Sequence, residues 1–382
     1  MHVRFLASLT PGGRVSFPSW ARGLALWLGV FLLAGLAQAQ TPPAPSPTPQ
    51  PAPKAQPKPL ELCAVLFDAG RMEAALKACE RAVQNNPTTE SLYLLARTQA
   101  ELQLFTPAVD NLRQSIKLNA TFVQSYVALA QIYTKQYLLA DNRDNARGML
   151  DQALSTLKEA ERANAKYAPL YATRGLVYAY QNKFDLAIDS LNKSLALKDD
   201  PLVRASMADV YLRQGKVDEA LKNYDDAVKA SPNSALLRVK YGSLLLVRGD
   251  VDAAVSHLDQ AVQLSPGNAE AWLRRGDAYS EKKDWKQAGV SYEQTVALAP
   301  VRYPDAYMGL GQVLLELKDY QKAKYNFTKA VALEKDNATY RYWLGHANEL
   351  LGDKVGAKTQ CDEALRLKPD FKEAQDCSSR NK

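Results

Sequence analysis

The chain has 382 residues, of which 47% are apolar and 23% are charged. This composition is typical of a folded globular protein and argues against a disordered or fibrous chain. The formal net charge is +7, but Arg4, Arg14 and Arg22 lie in an N-terminal segment without acids, so the remainder carries +4. Its basic residues are mixed with acids and form no dense block, which favours a solvated surface over a nucleic-acid-binding face.

An uncharged run, Leu24–Ala37, follows Arg22 and leads into Ala37-Gln38-Ala39. A basic flank, a short apolar core and an A-x-A site are typical of a secretory signal. We predict that residues 1–39 are removed, although an uncleaved membrane anchor is the alternative. The run is short for a membrane span of about 20 residues. The sequence therefore predicts an exported protein in the periplasm, cell envelope or extracellular space, which meets a membrane only through this segment if it is not cleaved.

Residues 40–59 form a predicted disordered linker in which Pro occupies nearly every second position. Such a sequence cannot build a helix or sheet and favours extended polyproline II. At ~3.1 Å per residue, the segment could reach on the order of 60 Å. Two interpretations remain open: a spacer that holds the following domain away from a membrane or wall, and an unstructured lead after the signal.

Ala269 to Pro300 has the pattern of two helices folded back on each other. In the first helix, residues that share one face recur at helical spacing: Trp272, Arg275, Gly276 and Tyr279. The second helix repeats this pattern with Ala288, Tyr292, Thr295 and Val296. Small residues let the two backbones approach, and Pro300 ends the second helix because it has no N–H to donate.

The same constellation recurs along the chain. The small residue of the first helix is found at Cys63, Ala96, Ala130, Gly175, Ala208, Gly242, Gly276, Gly311 and Gly345. The small residue of the second helix is found at Ala75, Ala108, Ala153, Ala187, Ala220, Ala254, Ala288, Ala323 and Ala357. The pattern predicts nine helix pairs over residues 60–371, and residues 372–382 are predicted to form a C-terminal capping helix.

With Trp272, Gly276, Tyr279, Ala288, Tyr292 and Pro300 in register, this stretch resembles a tetratricopeptide repeat. The resemblance implies an all-α fold, a right-handed superhelical solenoid of antiparallel helix pairs. The third pair departs from the pattern by an 11-residue extension near residues 134–152. We expect longer helices there, turning near Ala140-Asp141-Asn142 and projecting by roughly 8 Å, or one and a half helical turns. The tip is either a contact site or a tolerated insertion.

Four cysteines form two pairs with the same spacing. Cys63 and Cys79 are 16 residues apart, as are Cys361 and Cys377. An even count, a predicted oxidising compartment and the position of each pair at an end of the repeats favour the disulfides Cys63–Cys79 and Cys361–Cys377. The alternative is that each is a small core residue.

We find no support for catalysis or for a bound metal. The sequence has no C-x-x-C, no phosphate-binding glycine loop and no Ser-His-Asp candidate cluster. Carboxylates lie at ordinary exposed helix positions. We therefore predict a protein that is not an enzyme, has no cofactor, holds no metal and does not bind nucleic acid.

The family resemblance implies a protein-binding scaffold whose inner helices line a concave groove for a partner protein or peptide. Transferred by register, the groove residues are Tyr93, Arg97, Val127, Gln131, Ala172, Leu176, Asp209, Leu212, Val239, Leu246, Leu273, Asp277, Met308, Leu315, Tyr342 and His346. We expect a scaffold in the cell envelope, for example an assembly factor. A structural wall- or membrane-associated spacer and a glycan- or peptidoglycan-binding module are the alternatives. The partner's identity and the oligomeric state remain open.

Overall fold

A computed structural model describes residues 58–381. The predicted signal peptide and almost all of the predicted linker lie outside these residues. The described part contains 19 α-helices and no β-strand, which confirms the predicted all-α class. The helices are α1 Pro59–Asp68, α2 Met72–Asn85, α3 Thr89–Glu101, α4 Phe105–Leu118, α5 Val123–Leu139, α6 Arg147–Ala163, α7 Ala168–Tyr180, α8 Phe184–Leu197, α9 Pro201–Arg213, α10 Val217–Ala230, α11 Ala235–Arg248, α12 Val251–Leu264, α13 Ala269–Glu281, α14 Trp285–Leu298, α15 Pro304–Glu316, α16 Tyr320–Leu333, α17 Ala338–Leu350, α18 Lys354–Leu367 and α19 Lys372–Arg380.

The helices α1–α18 pack as consecutive pairs, each joined by a short turn. Each odd-numbered helix also packs on the next odd-numbered helix, except that α9 and α11 lack extensive contact. Even-numbered helices make their extensive contacts only with odd-numbered ones. The odd-numbered helices are therefore the inner layer, and the even-numbered helices are the outer layer. Buried apolar residues form a series of clusters along the array rather than one central core, as in a solenoid.

On four outer helices, a large side chain is wedged against small residues of the inner helices. Tyr292 of α14 is the clearest case, because a Cβ added to Gly276 or to Gly309 would lie 2.5 Å from its ring. Gly276 belongs to the same pair and Gly309 to the next inner helix, so one ring fixes two interfaces. Leu191, Leu258 and Phe327 take the same place against Gly175, Gly242 and Gly311. We call this contact the wedge.

A second recurring contact fixes the loop between pairs. On four inner helices and on α19, the side chain of the fourth residue donates a hydrogen bond to the backbone carbonyl six residues before it. Chemically different side chains make this bond: Tyr171 to Ala165 (3.1 Å), Arg238 to Pro232 (2.8 Å), Trp272 to Pro266 (2.8 Å), Arg341 to Lys335 (3.1 Å) and Gln375 to Pro369 (2.9 Å). Several kinds of donor can make this contact, so Trp is not required at this position.

The third pair is longer than its neighbours, but part of its extra length is loop. Helices α5 and α6 have 17 residues each, whereas α3 has 13 and α4 has 14. Residues 140–146 connect them, where α3 and α4 are joined by residues 102–104. Each helix is thus extended by about one turn, ~5 Å, and not by the expected one and a half. Asn142 explains the loop, because its side-chain oxygen accepts from the backbone N–H groups of Asp144 (3.0 Å) and Asn145 (3.2 Å).

Both predicted disulfides are present, with Cα–Cα distances of 4.9 Å for Cys63–Cys79 and 6.1 Å for Cys361–Cys377. Each disulfide occupies the place that the wedge residue has in other pairs. Cys79 takes the place of the wedge residue in the first pair and bonds to the small residue of its own pair, Cys63. Cys361 takes the same place in the last pair and bonds to Cys377 of the following helix, while its sulfur faces Gly345.

Helix α19 occupies the place of the first helix of a further pair. Gln375 makes the loop contact described above, and Phe371 packs against Tyr342 with ring centroids 5.3 Å apart. Ala374 and Cys377 are buried against α18, whereas Lys372 and Asp376 are exposed to solvent. The last pair therefore ends in a polar surface, as the end of a solenoid requires.

Substitution of Gly276 or Gly309 by Ala should destabilise the protein, because the new methyl group would collide with the Tyr292 ring. We expect each variant to lower the free energy of unfolding by about 1–3 kcal/mol, despite the better helix propensity of Ala. Urea denaturation followed by circular dichroism measures the change. Gly267→Ala is the control, since a Cβ there meets nothing within 4 Å. Equal midpoints for all three variants would contradict the wedge.

Reduction of the disulfides should loosen only the ends of the array. Each bond joins residues 16 apart, a loop for which chain entropy predicts ~3 kcal/mol. Stability in a linear array is a sum of neighbour interactions, so amide exchange should accelerate in α1, α2, α18 and α19 and stay unchanged in α7–α14. Mass spectrometry after deuterium exchange tests this. The variant Cys63→Ser/Cys79→Ser should affect α1 and α2 alone, and uniform acceleration along the chain would refute the expectation.

Candidate functional site

The structure places the predicted groove residues on the inner helices but at different depths. Val127, Val239 and Leu273 are only 4%, 5% and 2% exposed. They pack in the core between helices and are not available to a partner, so their assignment to the groove was wrong. Arg97, Gln131 and Leu176 are exposed, and the remaining residues of the set are half-buried: Tyr93, Ala172, Asp209, Leu212, Leu246, Asp277, Met308, Leu315, Tyr342 and His346.

The middle of the inner layer carries a set of apolar side chains in contact with solvent. Leu202 is 54% exposed and Leu236 is 49% exposed. They are the second residues of α9 and α11, so they lie at the same position on neighbouring inner helices. We call the whole set the inner patch: Leu176, Leu202, Leu212, Leu236, Leu246 and Val247. Exposed apolar side chains grouped on one surface are a feature of interaction sites.

Five of the six inner-patch residues belong to α9 and α11, which have the least extensive contact among successive inner helices. A polar node joins the two helices there, beside an apolar cluster to which both contribute. The Tyr224 hydroxyl donates to one carboxylate oxygen of Asp209, and Lys240 Nζ lies 2.8 Å from the other. Burial, and then the Asp209 charge, raise the pKa of Tyr224 well above its ordinary value. Asp209 thus couples α9, α10 and α11.

A related node lies on α13. The Tyr292 hydroxyl donates to Asp277 Oδ1 (3.0 Å), and Arg274 Nη1 lies 3.2 Å from Asp277 Oδ2. Burial raises the pKa of the Asp277 carboxyl, although Arg274 and Tyr292 act in the opposite direction. Asp305 on α15 accepts a hydrogen bond of 2.5 Å from the Tyr340 hydroxyl. The wedge tyrosine and its neighbours therefore hold acidic side chains on the inner surface of α13 and α15.

The two ends of the inner layer are occupied by contacts within the chain. At the N-terminal end, the Arg97 guanidinium lies 4.5 Å from the Phe67 ring centroid and 5.6 Å from that of Tyr93. At the C-terminal end, Tyr342 stacks on His346 and packs against α19. Glu349 of α17 fixes α19 there, since it lies 2.8 Å and 3.0 Å from Arg380 nitrogens. Aromatic side chains at both ends of the inner layer are therefore engaged in contacts within the chain.

Leu202, Leu236 and Val247 were missed by sequence reasoning. The transferred groove positions were concentrated in the middle of each inner helix, whereas these residues lie near helix ends. A signal was available, because Leu202 and Leu236 are apolar residues immediately after the start of successive inner helices, at the spacing of one repeat. An apolar residue beyond the buried stripe of an amphipathic helix points to a second contact surface.

Within residues 58–381, no group of three or more His, Cys, Asp or Glu side chains is arranged to hold a metal ion. No helix in the same part of the chain is long and apolar enough to cross a bilayer.

Models of the tetratricopeptide repeat match residues 168–201, 205–269, 245–313 and 304–337. The chain belongs to the tetratricopeptide-repeat family. The resemblance found in the sequence is thereby confirmed for the family and for the solenoid of helix pairs. Membership of this family supports protein binding as the general function.

Among solved structures, a thermophilic tetratricopeptide-repeat protein of Thermus thermophilus is 44% identical, over 49% of this chain and 97% of that one, with a TM-score of 0.47. Pseudomonas aeruginosa PilF is 20% identical, over 56% of this chain and 97% of that one, with a TM-score of 0.51. At that identity, the second likeness shows the fold alone.

Among curated proteins, an ancillary SecYEG translocon subunit of Neisseria gonorrhoeae is 34% identical over 98 residues, which are 25% of this chain and 44% of that protein. The BBSome complex member BBS4 of Bos taurus is 27% identical over 131 residues, 33% of this chain and 24% of that protein. The chain thus spans less than half the length of the curated relatives it matches.

Acidification should release α19 before it unfolds the rest. Hydrogen bonds from Arg380 lower the pKa of Glu349 to about 2. A carboxyl whose pKa is depressed by folding stabilises the fold above its ordinary pKa, and this contribution is lost as the pH falls toward the folded value. Between pH 4.5 and 2, α19 should therefore become susceptible to an acid-stable protease such as pepsin while α7–α14 stay protected.

Two matched variants measure how much the contact between Glu349 and Arg380 stabilises α19. Glu349→Gln should expose α19 already at pH 7, at a cost of about 1–3 kcal/mol for the lost charged hydrogen bonds. Asp376 is an exposed carboxyl on α19, and the substitution Asp376→Asn should leave α19 protected. Carbon-detected NMR of the side-chain carboxyl measures the pKa directly, and titration of Glu349 near pH 4.5 would contradict the assignment.

Proposed function

We propose that this protein is an exported scaffold of the cell envelope that binds a segment of another protein across the inner patch. The observation that carries the proposal is the pair Leu202 and Leu236. Both are about half exposed on neighbouring inner helices, at the joint where those helices touch least. Burial of two leucines and their neighbours by a partner would remove apolar surface from water, which stabilises a complex by about 25 cal/mol per Å².

The envelope location rests on three observations. The sequence predicts a secretory signal before the repeats. The two disulfides are of the kind that persist in oxidising compartments. The Neisseria relative is described as a translocon subunit. The first of these concerns residues outside those that the structure describes, and together they support an extracytoplasmic setting for the scaffold.

The described surface favours a binding site over a mere spacer. A spacer requires no exposed apolar set, and a polar inner surface would keep it soluble. The aromatic residues Phe67 and Tyr93, which could serve a glycan, already pack against Arg97. We therefore place recognition in the inner patch rather than at the N-terminal aromatic end.

Site-specific photocrosslinking tests the proposal. A photoreactive amino acid at Leu236 should yield one discrete crosslinked product in envelope fractions of the source organism. The same residue at Leu264, which is 43% exposed at the end of an outer helix, should not. Leu202→Glu should reduce the Leu236 product at least tenfold without changing the circular dichroism spectrum. Equal crosslinking from Leu236 and Leu264, or a product that Leu202→Glu does not affect, would overturn the proposal.

A further inference from the structure

Helix α19 covers a face of α17 and α18 that would otherwise be open to solvent. Ala364 of α18 forms an apolar cluster with Phe371 and Ala374. Ala338 and Tyr342 of α17 pack against this cluster. We call the surface of Ala338, Tyr342 and Ala364 the end face. Among the described residues, α19 makes its extensive contacts with α17 and α18 alone, so these two helices provide its whole binding site.

The polar contacts of α19 involve the same two helices. Ser378 on α19 donates a hydrogen bond of 2.5 Å to Asp362 of α18. Arg380 and Asn381 donate to Glu349 of α17, at 2.8 Å and 3.2 Å. A second copy of this chain carries the same end face and the same polar partners. Its α17 and α18 would therefore bind α19 of the first copy through identical contacts.

The connection between α18 and α19 permits such an exchange. It consists of the four residues 368–371, of which Lys368, Pro369 and Asp370 are exposed. Fully extended, these residues could carry α19 about 13 Å from its own end face. Exchange of an identical element between two copies costs few contacts and gives a symmetric dimer. Because the contacts are the same within one copy and between two, protein concentration decides between monomer and dimer.

The disulfide Cys361–Cys377 holds α19 to its own copy. It joins α18 to α19, and both cysteines are fully buried. While this bond is intact, α19 cannot move to another molecule. The other disulfide differs, because Cys63 and Cys79 lie on α1 and α2, which pack extensively on each other and are connected by residues 69–71. Exchange at that end would require a whole helix pair to open.

We propose that reduction of Cys361–Cys377 allows two copies of this chain to exchange α19, and that reoxidation joins them through two intermolecular Cys361–Cys377 bonds. This exchange does not depend on what the inner patch binds. A dithiol such as dithiothreitol supplies the two electrons that break the bond and is itself oxidised to a cyclic disulfide. On reoxidation, the Cys377 thiolate attacks oxidised glutathione and releases one glutathione thiolate. Cys361 of the second copy then attacks the Cys377 sulfur of this mixed disulfide and releases the other glutathione thiolate.

Isotope mixing tests the exchange on the full chain. Unlabelled and heavy-nitrogen-labelled protein are each reduced with dithiothreitol until all cysteine thiols react with a thiol reagent. Equal amounts are then mixed and reoxidised with oxidised glutathione, at a low and at a hundredfold higher protein concentration. After digestion, mass spectrometry of the disulfide-linked peptides shows how often the two halves of a bond carry different labels and therefore come from two copies.

Mixed-label peptides should link Cys361 to Cys377 at the high protein concentration, and their share should fall at the low concentration. Peptides that link Cys63 to Cys79 should be at least tenfold poorer in mixed label, which makes the first disulfide an internal control. Unmixed Cys361–Cys377 peptides at both concentrations would overturn the proposal. Equal mixing in both disulfides would also overturn it, since it would indicate general disulfide reshuffling.

Two substitutions test whether release of α19 is the step that permits exchange. Glu349 holds α19 equally well within one copy and between two. Glu349→Gln should therefore speed the appearance of mixed label at least fivefold without changing its final share, when reoxidation is started at increasing times after mixing. Asp376→Asn alters an exposed carboxyl of α19 and should change neither quantity. Equal rates for Glu349→Gln and the unaltered chain would contradict exchange through release of α19.

Discussion

The fold depends on the wedge between one large side chain and two small ones. Tyr292 fills the space that Gly276 and Gly309 leave open, and it thereby determines both the distance within a pair and the distance to the next pair. Because the same ring donates its hydroxyl to Asp277, packing and the inner surface are linked. The Tyr292 hydroxyl and Arg274 together hold this carboxylate in position on that surface.

Much of this could be predicted from the sequence, because the wedge is encoded locally. Small residues such as Gly276 and large ones such as Tyr292 recur at fixed spacing, so the pairs, their order and the cysteine partners follow from register. Depth does not. Val127, Val239 and Leu273 lie on inner helices as expected, yet they are buried, since exposure depends on how closely the next helix approaches. Helical periodicity says nothing about that distance.

The accessible surface was therefore the harder part to predict. Leu202 and Leu236 lie on α9 and α11, which lack extensive direct contact and are joined through the network of Asp209, Tyr224 and Lys240. This network spans three helices, and no single stretch of sequence contains it. For a similar reason, the sequence did not predict how the extra residues of the third pair divide between helix and loop. That division depends on one side chain, Asn142, which accepts hydrogen bonds from two backbone N–H groups.

The covalent ends have a consequence for motion in the middle. In a linear array with free ends, local opening starts at the termini, where each element has only one neighbour. Here Cys63–Cys79 and Cys361–Cys377 suppress that route. Successive inner helices have their least extensive direct contact between α9 and α11, so we expect bending to be easiest there once the ends are fixed. Leu202 and Leu236 lie on the two helices of this junction, so we expect a ligand that covers both leucines to stiffen it.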